Sequence, residues 1–109
     1  MNPTELSELA IEILHENDRK GRYTIPAKGL CPFQWNWDSC LTALGLMHLY
    51  EDRALKEIET QFEHKWPDGM VPHIVFHQPD DGYFPVPGVW THQWLCGVLR
   101  STPGGGLWR

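Results

Sequence analysis

The residues with the clearest chemical potential stand in segment 32–40, which reads PFQWNWDSC. Trp35 and Trp37 lie two residues apart, and Asp38 comes just before an apolar run. Tryptophan faces stack on the C–H faces of a sugar ring, and a carboxylate accepts hydrogen bonds from its hydroxyl groups. A helix that begins at Asp38 would hold this carboxylate at its N-terminus and favour its charged form. The segment therefore predicts a carbohydrate site.

Each of these side chains also has a structural interpretation. Asp38 could serve only as a helix cap, although one carboxylate can cap a helix and bind a sugar hydroxyl at once. Trp35 and Trp37 would point to the same side of an extended segment, so one of them is expected in the core. We assign Trp37 to the pocket and Trp35 to packing. Gln34 could bond a sugar hydroxyl or tie down the preceding connector, and the sequence leaves both roles open.

Other kinds of site lack their sequence signals. His73 and His77 are four residues apart, but Pro72 and the β-branched residues between them argue against a helix that would bring both rings to one metal ion. The cysteines show no CxxC spacing, which predicts reduced thiols and no zinc knuckle. Glycine-rich phosphate loops and GxSxG motifs are also missing. We therefore expect no metal site.

Charge and hydropathy restrict the possible partners. The chain has 9 Lys and Arg against 14 Asp and Glu, a formal charge of −5, and no basic cluster, which argues against nucleic acid. No apolar run reaches the length of a membrane span, and the first residues lack the basic and apolar parts of a signal peptide. We expect a cytoplasmic protein without a membrane partner. The sequence does not indicate an oligomeric state.

Two helices are predicted in the first half of the chain. The 109 residues suffice for one small domain. The first helix covers residues 3–18, with Asn2 as its cap, Glu5 reaching back and Gly21 ending it. The second helix starts at Asp38 or Ser39 and runs to about residue 50. Because it is apolar over most of its circumference, burial on several sides is expected.

A third helix follows a short polar break at residues 51–52. Its apolar face consists of Ala54, Leu55, Ile58 and Phe62, and Lys56, Glu57 and Glu59 lie opposite. The second and third helices thus form an antiparallel hairpin.

The remaining chain is predicted to be mostly irregular. Residues 66–69 form a turn, and residues 70–76 are extended, although Pro72 argues against a central strand. Residues 78–88 form a long loop of the kind that often carries function. A short helix is possible over residues 91–99, and the glycine-rich end is expected to be disordered.

Four motifs in this order resemble one family. They are QWNWDS at residues 34–39, an amphipathic helix ending at Trp66, DGMVPHIVF at residues 68–76 and GYFP at residues 82–85. They resemble the start of the catalytic domain of glycosidases similar to mannosylglycerate and glucosylglycerate hydrolases, related to glycoside hydrolase family 63. The resemblance covers about residues 17–90. We therefore divide the chain into residues 1–90, part of a glycosidase domain, and residues 91–109, a divergent tail.

The resemblance implies an all-α fold, of which this chain is a fragment. Relatives form a toroid of six helical hairpins, an (α/α)6 barrel, and hydrolyse glycosides with inversion at the anomeric carbon. This chain would supply two to three helices, an extended segment and a long loop. The substrate would be a small carbohydrate, such as a glucosyl or mannosyl glycerate, and the chemistry needs no metal or organic cofactor.

By the same resemblance, Trp37 and Asp38 line the pocket of the non-reducing sugar, and Tyr83 reaches it from the loop. Gln34 is the remaining candidate contact. The general acid and base lie on later hairpins in this family, so no catalytic residue is expected in this chain. Two other classes stay open, namely a sugar-binding domain without catalysis and a purely structural helical domain.

Overall fold

A computed structural model describes residues 1–78 and residue 80, together with the backbone of residues 97–99. The helices are α1 (Pro3–Asn17), α2 (Asn36–Leu46) and α3 (Glu51–Phe62). The strands are β1 (Asp18–Arg19), β2 (Tyr23–Thr24), β3 (Gln34–Trp35), β4 (Ile74–Phe76) and β5 (Gly97–Leu99). The described part is thus mostly helical, as predicted. The all-α prediction needs one correction, because short strands join the helices.

Helix α1 begins with the predicted capping box. The Asn2 side chain accepts a hydrogen bond from the Glu5 backbone N–H at 2.9 Å, and the Glu5 carboxylate accepts one from the Asn2 backbone N–H at 2.9 Å. Pro3 suits the first helical position because its fixed φ is already helical. The helix ends at Asn17, one residue earlier than predicted.

A tight hairpin follows α1 and corrects the role assigned to Gly21. Strands β1 and β2 pair antiparallel, and Asp18 already has extended backbone. Lys20 and Gly21 lie in the turn with φ of 57° and 69°. The Asp18 carboxylate accepts a hydrogen bond from the Gly21 N–H at 2.8 Å. Gly21 therefore belongs to the hairpin turn and does not end the helix.

The predicted helical hairpin of α2 and α3 is present, with corrected boundaries. Helix α2 starts at Asn36, before the predicted Asp38 or Ser39, and ends at Leu46 instead of continuing to residue 50. Helix α3 starts at Glu51, so the expected polar break is its first turn. The two helices pack along each other.

Strand β4 is central in its sheet, contrary to the prediction. It pairs antiparallel with β3 on one side and parallel with β5 on the other. Pro72 does not prevent this because it precedes the strand, and its carbonyl accepts hydrogen bonds from the side chains of Asn36 (3.2 Å) and Gln61 (2.7 Å). The predicted turn at residues 66–69 is confirmed by the Gly69 N–H donating to the Trp66 carbonyl at 2.8 Å.

A small aromatic and aliphatic core lies between β3 and β4. It consists of Phe33, Ile74 and Phe76, all almost fully buried, with Trp35 packed against them. The Phe33 and Phe76 rings meet edge to face with centroids 4.7 Å apart. Outside this core, many large apolar side chains are exposed on the helices: Leu6, Leu9, Ile13, Trp37, Leu41, Leu44, Leu55 and Phe62.

Some predictions concern residues outside the described part of the chain. The long loop at residues 78–88, including Tyr83, lies almost entirely there, as does most of the tail. The helix considered for residues 91–99 is wrong at its end, since residues 97–99 pair with β4 as a strand. Within the described residues, no helix has the length and apolar character needed to span a bilayer.

Candidate functional site

Trp37 and Asp38 lie together in the first turn of α2, but Asp38 is not the helix cap. The capping position belongs to Trp35, whose side chain makes no capping hydrogen bond. Asp38 is the third helical residue, where its charge still lies close to the positive end of the helix dipole. The predicted cap role is therefore corrected to a first-turn acidic residue.

The two tryptophans have different surroundings. Trp35 belongs to β3 and packs against the buried core, as predicted. Trp37 is 68% exposed, so its side chain is largely open to solvent. The expected extended segment with both rings on one side is wrong, because the helix starts between them at Asn36. This change of backbone separates a packing residue from a candidate ligand contact.

Asp38 is half-buried, and the direction of its pKa shift differs from the expectation. Burial removes water from the carboxylate and raises the pKa of Asp38 above its ordinary value of 3.8, although a backbone hydrogen bond lowers it. The net shift is therefore opposite to the one expected from the helix end alone. Loss of solvation outweighs the backbone hydrogen bond at this position.

Gln34 is fully buried and its amide has protein partners. The side-chain nitrogen donates to Ser39 Oγ at 3.1 Å and to the Glu57 carbonyl at 3.3 Å. The side-chain oxygen lies 2.8 Å from Nε2 of His77. Since the Glu57 carbonyl oxygen can only accept, the amide orientation is fixed and His77 Nε2 is the donor to Oε1. These contacts support the tie-down role, and a sugar contact for Gln34 stays a prediction.

Glu57 is a buried charged residue next to the candidate site, and sequence reasoning missed its burial. It was placed on the polar face of α3, yet its side chain is 0% exposed. One carboxylate oxygen accepts from the Thr24 N–H (3.0 Å), Thr24 Oγ1 (2.8 Å) and Ser39 Oγ (2.7 Å). The other lies 3.0 Å from Arg53 Nη2. The available signal was the four-residue spacing of Arg53, Glu57 and Gln61, which places them on one helix face.

Arg53 extends this polar cluster to the end of α1. Its guanidinium lies 2.7 Å from Oδ1 of Asp18, and its side chain is 14% exposed. Arg53 thus stands between two carboxylates, those of Asp18 and Glu57. A buried carboxylate is tolerated only when paired and hydrogen-bonded, and Glu57 meets both conditions.

The histidines and cysteines do not form a metal site in the described part of the chain. His73 and His77 flank β4 and do not lie on a helix, as predicted. The His77 ring stacks on Tyr23 with centroids 3.8 Å apart. No group of three or more potential metal ligands occurs among the described residues. Cys31 and Cys40 are free thiols.

A cavity of about 440 Å³ lies away from Trp37, between the end of α1 and the start of α3. Its lining combines apolar side chains with the Asp18 and Arg53 ion pair: Leu14, His15, Asp18, Gly21, Leu46, Tyr50 and Arg53. The three predicted sugar contacts that the structure describes, Gln34, Trp37 and Asp38, are not part of this lining.

Comparison with known proteins identifies the family. The family model described as the mannosylglycerate hydrolase MGH1-like glycoside hydrolase domain matches residues 31–104. The chain belongs to this family. The match begins before Trp35 and continues past residue 90, where the sequence resemblance was expected to stop.

Individual relatives agree with the family assignment. Mannosylglycerate hydrolase MGH1 of Selaginella moellendorffii is 57% identical over 83 residues, which is 76% of this chain and 17% of that protein. Glucosylglycerate hydrolase of Mycolicibacterium hassiacum is 43% identical over 88 residues, 81% of this chain and 20% of that protein. The chain thus spans about a fifth of the length of these relatives.

A solved structure supports the fold. The glycoside hydrolase family 63 mannosylglycerate hydrolase from Thermus thermophilus, in complex with Tris and D-glycerate, superposes with a TM-score of 0.75. It is 42% identical, and the match covers 88% of this chain and 23% of that chain. The short strands and the helices of this chain therefore occur in a family 63 hydrolase domain.

Proposed function

We propose that this chain contributes the subsite for the non-reducing sugar in an inverting glycoside hydrolase that acts on an α-glycoside. The substrate class is a small glycerate-linked sugar, glucosyl or mannosyl, or a related small oligosaccharide. Trp37 stacks on the sugar ring, Asp38 accepts a hydroxyl hydrogen bond, and Tyr83 approaches from the loop at residues 78–88. The chain supplies part of an (α/α)6 toroid and acts in the cytoplasm, where its free thiols Cys31 and Cys40 stay reduced.

One observation carries this proposal. In a chain that belongs to a glycoside hydrolase family, an exposed tryptophan face and a half-buried carboxylate stand side by side in the first turn of α2. The ring supplies an apolar surface for sugar C–H groups, and the carboxylate accepts from hydroxyls. Together they match the two kinds of surface that a sugar ring offers.

The chemical step would use groups beyond the sugar contacts. Inverting hydrolysis needs one carboxylic acid and one carboxylate about 6.5–9.5 Å apart, with a water between base and sugar. By family resemblance, both groups lie on later hairpins. Asp38 and Trp37 would hold the ring so that this water meets the anomeric carbon, which is a positioning contribution to the rate.

A chimera tests the proposal. Residues 31–104 of this chain replace the matching segment of the Thermus thermophilus mannosylglycerate hydrolase, and hydrolysis of mannosylglycerate is measured. Asp38→Asn removes a charge-assisted hydrogen bond of about 1.5–3 kcal/mol, so kcat/KM should fall about tenfold or more. Trp37→Ala should lower it as well, through loss of stacking.

Asp52→Asn is the matched control, because Asp52 also lies in the first turn of a helix but is exposed and belongs to α3. The control should retain full activity. A folded chimera in which Asp38→Asn keeps the parent kcat/KM would contradict the sugar contact, and the motif would then be helix start and packing alone.

A further inference from the structure

We propose that Glu57 is the positioning residue of the sugar site, because it fixes the first turn of α2 and so determines where Trp37 and Asp38 stand. This role rests on the proposed function for what those two side chains contact. The positioning itself depends only on hydrogen bonds among α2, α3 and the strands beside them. Glu57 touches no substrate and acts through Ser39 and Gln34.

The start of α2 has no side-chain cap of its own, so something else must hold it. Helix N-termini leave backbone N–H groups unpaired, and a capping side chain usually satisfies one of them. At α2 the side chain in the capping position, Trp35, does not do so. The backbone N–H of Asn36 instead donates to the His73 carbonyl at 2.8 Å, and Ser39 Oγ donates to Glu57 at 2.7 Å. One tertiary bond thus satisfies the first helical N–H, and the other ties the Ser39 hydroxyl to α3.

Glu57 secures both flanks of the segment that carries the candidate sugar contacts. On the C-terminal flank, its carboxylate accepts from Ser39, the residue after Asp38. On the N-terminal flank, its backbone carbonyl accepts from the Gln34 amide at 3.3 Å. Gln34 and Ser39 are also bonded to each other at 3.1 Å. Gln34, Ser39 and Glu57 thus form a closed ring of hydrogen bonds that is anchored on α3. Residues 35–38 lie between the two ring members Gln34 and Ser39.

Only a carboxylate fits the place that Glu57 occupies. One oxygen accepts three hydrogen bonds and the other faces the Arg53 guanidinium at 3.0 Å. Glutamine offers one acceptor oxygen and one NH₂ group. Its NH₂ would oppose either the donors of Thr24 and Ser39 or those of Arg53. Glu57→Gln therefore loses either the bonds to Thr24 and Ser39 or the pairing with Arg53. In either orientation the set of contacts that fixes this end group is broken, while the size of the side chain is kept.

The experiment uses the full 109-residue chain with 5-fluorotryptophan and observes the ¹⁹F resonance of Trp37, assigned through Trp37→Phe. Hydrogen exchange is followed at the backbone amides of residues 40–42, the first that donate within α2. Glu57→Gln should shift or broaden the Trp37 resonance. It should speed exchange at residues 40–42 about tenfold or more, with a smaller change at residues 74–76 of β4.

Glu59→Gln is the matched control, because it removes the same charge from the same helix at an exposed position paired with Lys56. It should leave the Trp37 resonance and the α2 amides unchanged. If Glu57→Gln leaves Trp37 unchanged, or speeds exchange equally everywhere, the positioning role is overturned and Glu57 is a general stability residue.

A second variant covers the case in which Glu57→Gln does not fold. Ser39→Ala removes the link from α2 to the carboxylate and keeps the bonds to Thr24 and Arg53. It should change Trp37 and residues 40–42 in the same way, and an unchanged Trp37 resonance would again overturn the role. No sugar enters these measurements. The proposed function is tested separately: it fails if Asp38→Asn leaves the kcat/KM of the chimera unchanged.

Discussion

Trp35 and Trp37 are two residues apart, yet one packs against the buried core and the other is 68% exposed. The separation follows from the backbone, which changes from strand to helix at Asn36. Their side chains consequently diverge instead of sharing one side as they would in a strand. One tryptophan thus packs against the core, and the next is exposed to solvent.

The core supports a stability prediction. Phe33→Ala removes a fully buried ring that meets Phe76 edge to face, and it should lower the free energy of unfolding by about 3–5 kcal/mol. Leu30→Ala is the control, because Leu30 is 71% exposed, and its effect should stay within about 0.5 kcal/mol. Urea unfolding followed by circular dichroism measures both. Equal effects would show that the core does not lie where the structure places it.

The raised pKa of Asp38 predicts a pH-dependent difference between the chain and its Asp38→Asn variant. Since the folded state binds this proton more tightly than the unfolded state, the contribution of Asp38 to stability is complete below pH 3.8. It is lost as the pH rises above that value through the folded pKa. At neutral pH Asp38→Asn should therefore melt at the same temperature or slightly higher.

Thermal unfolding of both proteins between about pH 3 and pH 7 tests this difference. The melting temperatures should converge towards low pH, where both side chains are neutral. A variant that melts clearly lower at neutral pH would show that the Asp38 charge stabilises the fold, against the pKa direction.

The exposed apolar stripe of α2 predicts binding of a hydrophobic dye. Trp37, Leu41 and Leu44 lie on one helix face and are all more than half exposed. Patches of this kind attract dyes or lead to association. The chain should enhance the fluorescence of anilinonaphthalene sulfonate, and Leu41→Ser/Leu44→Ser should reduce it. The pair Glu8→Ser/Glu12→Ser on α1 should not, and a monomer that binds no dye would contradict the prediction.

The isolated chain should not hydrolyse glycosides. It spans about a fifth of its relatives, and family resemblance places the general acid and base on later hairpins. One wall of a pocket cannot orient the attacking water. Incubation with mannosylglycerate and glucosylglycerate should release no sugar above background, with the full-length Thermus enzyme as positive control. Release that disappears in Asp38→Asn would show that the chain is catalytic by itself.

Local signals were sufficient for parts of the fold. The capping box at Asn2 and Glu5 places the start of α1 correctly because both hydrogen bonds join residues three apart. The start of α2 was missed because it depends on contacts distant in sequence: Gln34 pairs with Val75 in the sheet, and Asn36 bonds the His73 carbonyl. No local pattern reports these pairings.

In the candidate site, too, local features could be predicted, whereas contacts between residues distant in sequence could not. Trp37 and Asp38 are neighbours in the chain, so their proximity could be predicted. Glu57 could not be recognised by polarity, because a glutamate on a helix is normally exposed. Its burial depends on Thr24 and Ser39, which arrive from other elements. The spacing of Arg53, Glu57 and Gln61 was visible in the sequence, but the partners that bury Glu57 were not.

The pairing of β3 with β4 has a consequence for the order of folding. The whole of α2 and α3 lies between Gln34 and its partner Val75. The helical hairpin needs only local contacts, whereas the sheet must first close this long loop at an entropic cost. During synthesis the helices therefore leave the ribosome before the strand that buries Phe33. The aromatic core is expected to form last, so the nascent chain displays Phe33 to chaperones until residues 74–76 emerge.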